Sequence, residues 1–287
     1  MNYLPFSVAA ITLMAFTFCS SDKEELKTVY KLPKALEEVS GIEWVDSSLW
    51  AIEDSGNDND LYRLDANGEI AHTIRITDAT NVDWEDLASD ATGNIYIGDF
   101  GNNDNLRQDL CIYKVSKETL GNTTTTAAAK TTFSYPDQTA FPPPASERLF
   151  DVEAFIVYQD YFYLFTKNRS TNSDGSVTIY KIPNQPGPQT AVVLGKLNSC
   201  TDFNTCAITA AAISPDQQKV AILSHNKLWL FKDFTSDQFH EGTKTELSLN
   251  HYSQKEALTF INNSVLYIAD EKVKKSGGRV YEYTLKE

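Results

Sequence analysis

At 287 residues and 41% hydrophobic side chains, the chain is long for one domain around one core but ordinary for a repeat architecture. Its formal net charge of −14 excludes nucleic acid as a partner, because binding a phosphate backbone needs a basic stripe. An acidic surface favours solubility and concentrates divalent cations around it.

Residues 1–18 carry no charged side chain, and 9–16 are mostly apolar. Cys19 and the polar, acidic run Ser20-Ser21-Asp22-Lys23-Glu24-Glu25 follow. The apolar stretch is short and broken by Pro5 and Ser7, so it reads as an export signal rather than a membrane span. It resembles a lipoprotein signal of the Bacteroidota. That resemblance implies a signal peptide over 1–18, a lipidated Cys19, an acidic tether over 19–26 and an outer-membrane anchor facing the periplasm or the exterior. A cleaved secretory signal and an uncleaved anchor are the alternatives.

From residue 27 on, strands recur. A strand over 27–32 is followed by one short phrase met five times: Val39-Ser40-Gly41-Ile42, Trp84-Glu85-Asp86-Leu87, Val152-Glu153-Ala154-Phe155, Ile208-Thr209-Ala210-Ala211 and Lys255-Glu256-Ala257-Leu258. Each copy opens a unit of short strands. The first unit has strands over 41–45, 49–52, 61–64 and 71–76, with a turn at Asp65-Ala66-Asn67-Gly68. The second has 87–88, 95–97, 111–115 and 131–135, with a hairpin turn over 90–94. The third has 154–158, 161–166, 177–182 and 191–197, and the fourth 211–214, 220–224, 228–231 and 245–249. The fifth has 257–261, 265–269 and 280–285, one strand short.

Strand-built repeats of this period specify an all-β, five-bladed β-propeller over 27–287. The strand over 27–32 completes the last blade and closes the ring, leaving no open edge. Six blades is the competing count, because 120–144 is long; its Thr, Ala and Pro content reads instead as an insertion around one outer strand.

Cys200 and Cys206 flank a polar loop, and export would permit a disulfide between them. Cys111 lies in a strand pattern as a buried thiol. No cysteine spacing matches a zinc motif.

In a propeller the first strand of each blade lines the axis, so Ser40, Glu85, Glu153, Thr209 and Glu256 converge there. Three carboxylates and two hydroxyls offer only oxygen, which suits calcium and disfavours zinc. The alternative is a polar channel of waters and backbone hydrogen bonds. After the second strands of the first two units, Asp54-Ser55-Gly56-Asn57 and Asp99-Phe100-Gly101-Asn102 repeat one pattern. With Lys167, Asn168, Arg169, Ser224, His225, Asn226, Asp270, Glu271 and Lys272, they form a polar rim around the mouth.

The order Ser-Glu-Glu-hydroxyl-Glu over five units resembles the calcium-activated nucleotidases, the soluble apyrase family. That family holds calcium on the axis of a five-bladed propeller, with Ser where this chain has Thr209. The resemblance implies that Asp54, Lys167 and Arg169 match upper-face residues of that family. The blade openings also resemble exported propellers of the phytase-like and SdiA-regulated-like types. Two functional classes follow. One is an envelope-anchored monomer with an axial calcium that binds a small molecule, a glycan or a protein through its rim. The other is a calcium-dependent phosphohydrolase, with Asp54 or Asp99 as general base and Lys167 or Arg169 balancing charge. A glycosidase or lactonase is a third option. A serine nucleophile is disfavoured, because there is no Gly-x-Ser-x-Gly motif.

Overall fold

The computed structural model describes Met1 and residues 26–286; the expected signal and tether, apart from Met1 and Leu26, and the lipidated Cys19 lie outside the described residues. No helix among the described residues is long and apolar enough to cross a membrane. Strands fall into five antiparallel-based sheets arranged as blades. The first strand, β1 (Lys27–Lys31), is set aside for closure. Blade one follows as β2 (Val39–Val45), β3 (Ser48–Glu53), β4 (Asp60–Leu64) and β5 (Ile70–Ile76). Blade two begins with β6 (Trp84–Ser89), β7 (Ile95–Asp99) and β8 (Cys111–Val115). The chain then steps back to blade one, where β9 (Thr124–Thr125) adds parallel to the outer edge of β5. It returns as β10 (Ala129–Ser134), the outer strand of blade two.

Blade three comprises β11 (Asp151–Tyr158), β12 (Tyr161–Lys167) and β13 (Ser176–Pro183). Before it closes, β14 (Gly187–Thr190) pairs parallel with β10, and only then does β15 (Val192–Asn198) complete the blade. A four-residue helix, α1 (Phe203–Cys206), leads to blade four: β16 (Ile208–Ile213), β17 (Val220–Ser224), β18 (Lys227–Lys232) and β19 (Thr243–Ser248). A Cys200–Cys206 disulfide spans that helix, and Cys111 is a buried free thiol. Blade five has β20 (Lys255–Phe260), β21 (Val265–Asp270) and β22 (Arg279–Thr284). Strand β1 completes it, pairing antiparallel with β22 from Lys27 opposite Glu282 to Lys31 opposite Arg279. The blade count is five, and the long 120–144 segment is an insertion carrying β9 and β10, not a sixth blade.

Local chemistry shapes the hairpins. Asp46 and Ser47 both take positive φ (49° and 60°) between β2 and β3, the two-residue turn whose twist matches that of paired strands. Gly68 turns β4 into β5 at φ +82°, and a Cβ there would lie 2.3 Å from Tyr30 Cδ2. The bare glycine therefore lets the closing strand pack against blade one.

The core is divided rather than central. Five apolar clusters each sit between two neighbouring blades. Trp84 and Ile97 of blade two pack with Ile52 and Ile74 of blade one, and Trp229 and Phe231 of blade four pack with Tyr163 and Phe165 of blade three. The cluster of Leu36, Ile42, Ala257 and Val280 seals blade five to blade one. Each fully buried large side chain contributes roughly 1.5–3 kcal/mol of burial. Polar links cross the same seams. The buried Asp86 carboxylate accepts hydrogen bonds from Leu87 N (2.8 Å) and from Phe155 N of blade three (3.1 Å).

The five innermost strands begin at Val39, Trp84, Asp151, Ile208 and Lys255, two or three residues earlier than the sequence pattern places them. Pairing resumes on the far side of each ring residue instead of starting after it.

Candidate functional site

Ser40, Glu85, Glu153, Thr209 and Glu256 hold equivalent places in β2, β6, β11, β16 and β20. At each one the register with the second strand slips: the pairs jump from Val39 to Gly41, Trp84 to Asp86, Val152 to Ala154, Ile208 to Ala210 and Lys255 to Ala257. Every ring residue is therefore the extra residue of a β-bulge. Bulges re-aim side chains and recur beside functional sites.

Four of the five, Ser40, Glu85, Glu153 and Glu256, line one cavity of about 150 Å³. The ends of the second strands and the loops after them supply Asp54, Ser55, Asn103, Lys167, Arg169 and Glu271, and Asp83 enters from the approach to β6. Thr209 is buried but does not line it; its hydroxyl donates to the Lys255 carbonyl at 2.7 Å. Asp99 stands behind the wall, accepting from Arg107 Nη2 at 2.9 Å and from Asp83 N at 3.1 Å. Asp99 thus positions Asp83 rather than facing the cavity, which the same loop reaches further on through Asn103.

Six carboxylates share the cavity with two cations, Lys167 and Arg169. Both cations are committed to one side. Lys167 Nζ lies 3.0 Å from Glu153 Oε2, and Arg169 donates to Asp151 (2.6 Å) and Glu153 (2.7 Å) while also contacting Asn103. Burial opposes the charge on Glu153, but Lys167 and Arg169 hold its carboxyl below the ordinary range. Burial likewise opposes the charge on Lys167, and Glu153 and Glu256 hold it protonated.

The other side is only partly compensated, by the more distant charge of Lys167. Burial, then the charges of Glu153 and Asp83, pushes Glu85 well above the usual carboxylate range. Burial, with Glu256 and Asp54 beside it, pushes Glu271 up to about 8. Burial, Glu38 and Asp83 push Asp54 up to about 6. Glu256 Oε1 meets His225 Nε2 at 3.1 Å. Two of these groups converge over Gly101. A Cβ there would lie 2.1 Å from Glu85 Oε1 and 2.4 Å from Asp83 Oδ2, so the missing side chain is the space those carboxylates occupy. Ser40 Oγ is buried at the wall with no hydrogen-bond partner.

The donor set is all oxygen and carries excess negative charge, which fits a hard divalent cation. Among the described residues no three His, Cys, Asp or Glu side chains already stand as close as ligands on one ion, so binding requires Glu85 and its neighbours to draw inward. Asp83, Asp151 and Arg107 escape the sequence reading. A signal for the first two exists: Glu38, Asp83 and Asp151 each stand two residues ahead of a ring residue.

No family model matches the chain, and no curated protein matches it. Among solved structures it is similar to the PQQ-bound aldose sugar dehydrogenase of Streptomyces coelicolor. The TM-score is 0.52 and the identity 9%, over 91% of this chain and 98% of that one. It also aligns with a catalytically inactive virginiamycin B lyase of Staphylococcus aureus bound to quinupristin (TM-score 0.42, 14% identity, 89% and 69% covered). A nidogen–laminin complex aligns at TM-score 0.45 and 13% identity, with 81% and 72% covered. The fold is a five-bladed β-propeller. At such identities likeness shows fold alone, so function is argued from the mouth itself.

Proposed function

We propose that this protein is an exported β-propeller, tethered to the cell envelope through Cys19, whose axial mouth binds one calcium ion and presents a polar funnel to a small-molecule, glycan or protein ligand. The observation that carries the reading is the charge imbalance of the cavity: six carboxylates face two cations, both cations are held by the Glu153 side, and Ser40 Oγ is left without a partner. Like charges at close range must either protonate or take up a cation. Ser40, Glu85 and Glu256 would hold the ion, with Asp83, Asp54 and Glu271 in reach; Thr209, engaged with the Lys255 carbonyl, would stand aside. The apolar run ending at Cys19 and the Cys200–Cys206 disulfide both suit export to an oxidising compartment.

Melting of the purified protein against calcium, with chelator and magnesium as controls, tests this. Calcium at a hundredfold excess over its dissociation constant stabilises by about 2.7 kcal/mol, roughly 5–10 °C for a domain of this size. Glu256→Gln should remove most of that rise, and a protein indifferent to calcium would end the reading. A second reading, a calcium-dependent phosphohydrolase, is favoured by Asp54 standing near 6 in the same cavity as Arg169. Bound calcium would supply Lewis-acid charge toward phosphate oxygens, and Asp54 would take the proton of the attacking water. Release of phosphate from pyrophosphate, lost in Asp54→Asn, is its signature.

A further inference from the structure

The innermost strands have a second end. Four residues beyond each ring residue stand Trp44, Ser89, Val157, Ile213 and Phe260, and all five line one cavity of about 400 Å³. One residue from every blade makes it an axial site, and it shares no lining residue with the carboxylate-rich mouth. Its character differs from that mouth: Trp44, Val157, Ile213 and Phe260 give it an apolar side, Ser89, Gln159, Ser214 and Gln217 a polar one, and its size is usual for small-molecule pockets.

Within that wall lies one carboxylate without a counter-charge. Glu43 Oε1 accepts from Ser89 Oγ at 2.6 Å, and Oε2 accepts from Thr259 Oγ1 at 3.1 Å. These two hydroxyls, one from each neighbouring blade, orient the group. Each carboxylate oxygen keeps acceptor capacity. Among the described residues no lysine, arginine or histidine pairs with it. The other carboxylate at the cavity, Asp90, is spent on Thr92, Asn94 and Tyr96. Burial pushes Glu43 up to about 7, against the opposing effect of the Ser89 and Thr259 hydrogen bonds, as expected for a buried carboxylate with no counter-charge. Trp44 is half-buried beside it and braced edge-on by Tyr267 at 6.0 Å, so its indole is held in place.

We propose that this lower mouth is a second binding site, for a small organic cation: a primary ammonium seated on Glu43, with its aliphatic or aromatic body against Trp44, Val157, Ile213 and Phe260. A carboxylate in an apolar wall gains most from a cation that brings its own apolar surface. The Trp44 ring adds attraction for an ammonium or the apolar carbons beside it. An inorganic cation would satisfy Glu43 but leave the wall unused. An anion would meet Glu43 as repulsion.

The test compares two probes of equal shape at about pH 8: phenethylammonium and the uncharged 2-phenylethanol. Binding is read by calorimetry and by the indole N–H resonance of Trp44, the half-buried member of four tryptophans whose other three are buried. Phenethylammonium should bind at least about tenfold tighter than the alcohol and shift the Trp44 resonance, and Glu43→Gln should erase that preference. Equal affinity for the two probes, binding that leaves Trp44 unshifted, or no binding at millimolar concentration would each overturn the proposal. The comparison of probes on the unaltered protein stands even if Glu43→Gln fails to fold.

Discussion

At the scale of single residues, the mouth is built from side chains aimed by bulges and from one side chain that is missing. Gly101 makes the sharpest test, because its φ is not positive and its backbone would accept an L side chain. The atoms an added Cβ would strike, Glu85 Oε1 and the Asp83 carboxyl (Oδ2 and Cγ), belong to side chains rather than backbone and can turn aside. Gly101→Ala should therefore cost little stability, within about 1 kcal/mol as for a tolerated substitution. It should, however, displace the two carboxylates and suppress the calcium-dependent rise in melting temperature. A full calcium response in Gly101→Ala would remove Glu85 and Asp83 from the proposed cation site. The ring residues were legible because one phrase recurs, and recurrence at one blade position means recurrence in space. What escaped was partnership. Thr209 has the right position, but its hydroxyl turns to the Lys255 carbonyl, and Asp99 shares the motif of Asp54 yet serves Arg107 and the Asp83 amide. Periodicity locates a residue on a strand and is silent about which neighbour captures its side chain.

At the scale of elements, the strands that alternate or run apolar were readable, and β8 and β17 fall where their patterns put them. The closing strand β1 was readable by subtraction, since the fifth repeat lacks one. By contrast β9 and β14 were not. Each is short, rich in Thr, Gly, Pro or Gln, and held by parallel pairing to the outer edge of another blade. Such a strand owes its form to the edge it covers, not to its own side chains. The closure is testable at Gly68. Gly68→Val adds a branched side chain at φ +82° and drives it into the Tyr30 ring. The backbone strain alone is about 1–3 kcal/mol. Hydrogen exchange should quicken first in β1 and β22, while the amides of blade three keep their protection. Uniform quickening of all five blades would mean that the seam is not a separate unit.

At the scale of the whole molecule, a ring of blades sealed by five inter-blade clusters leaves an axis with two unlike ends, one crowded with carboxylates and one of mixed lining with an apolar side around Trp44 and Phe260. The crowded end makes stability depend on pH in a definite direction. Asp54 and Glu271 there are raised to about 6 and about 8, and outside it Glu43, in the opposite mouth, and Glu53 act in the same sense, raised to about 7. In the unfolded chain these groups titrate near 3.8 to 4.5. Between those limits the folded protein holds protons that the unfolded chain has released, so the unfolded state gains as pH rises. Without a divalent cation, the melting temperature should therefore fall from about pH 5 to about pH 8. Lys255 works in the opposite sense only higher up, since its ammonium is lowered by burial to about 8 and adds stability as the unfolded lysines remain charged above that. Calcium should flatten the decline, because it takes the place of the protons on Glu85, Asp54 and Glu271. Its binding should release protons, measurable as a dependence of the calorimetric heat on the ionisation enthalpy of the buffer. A melting temperature that climbs from pH 5 to 8 in chelator, or calcium binding with no proton release, would show that the mouth carboxylates are already ionised and compensated in the folded protein.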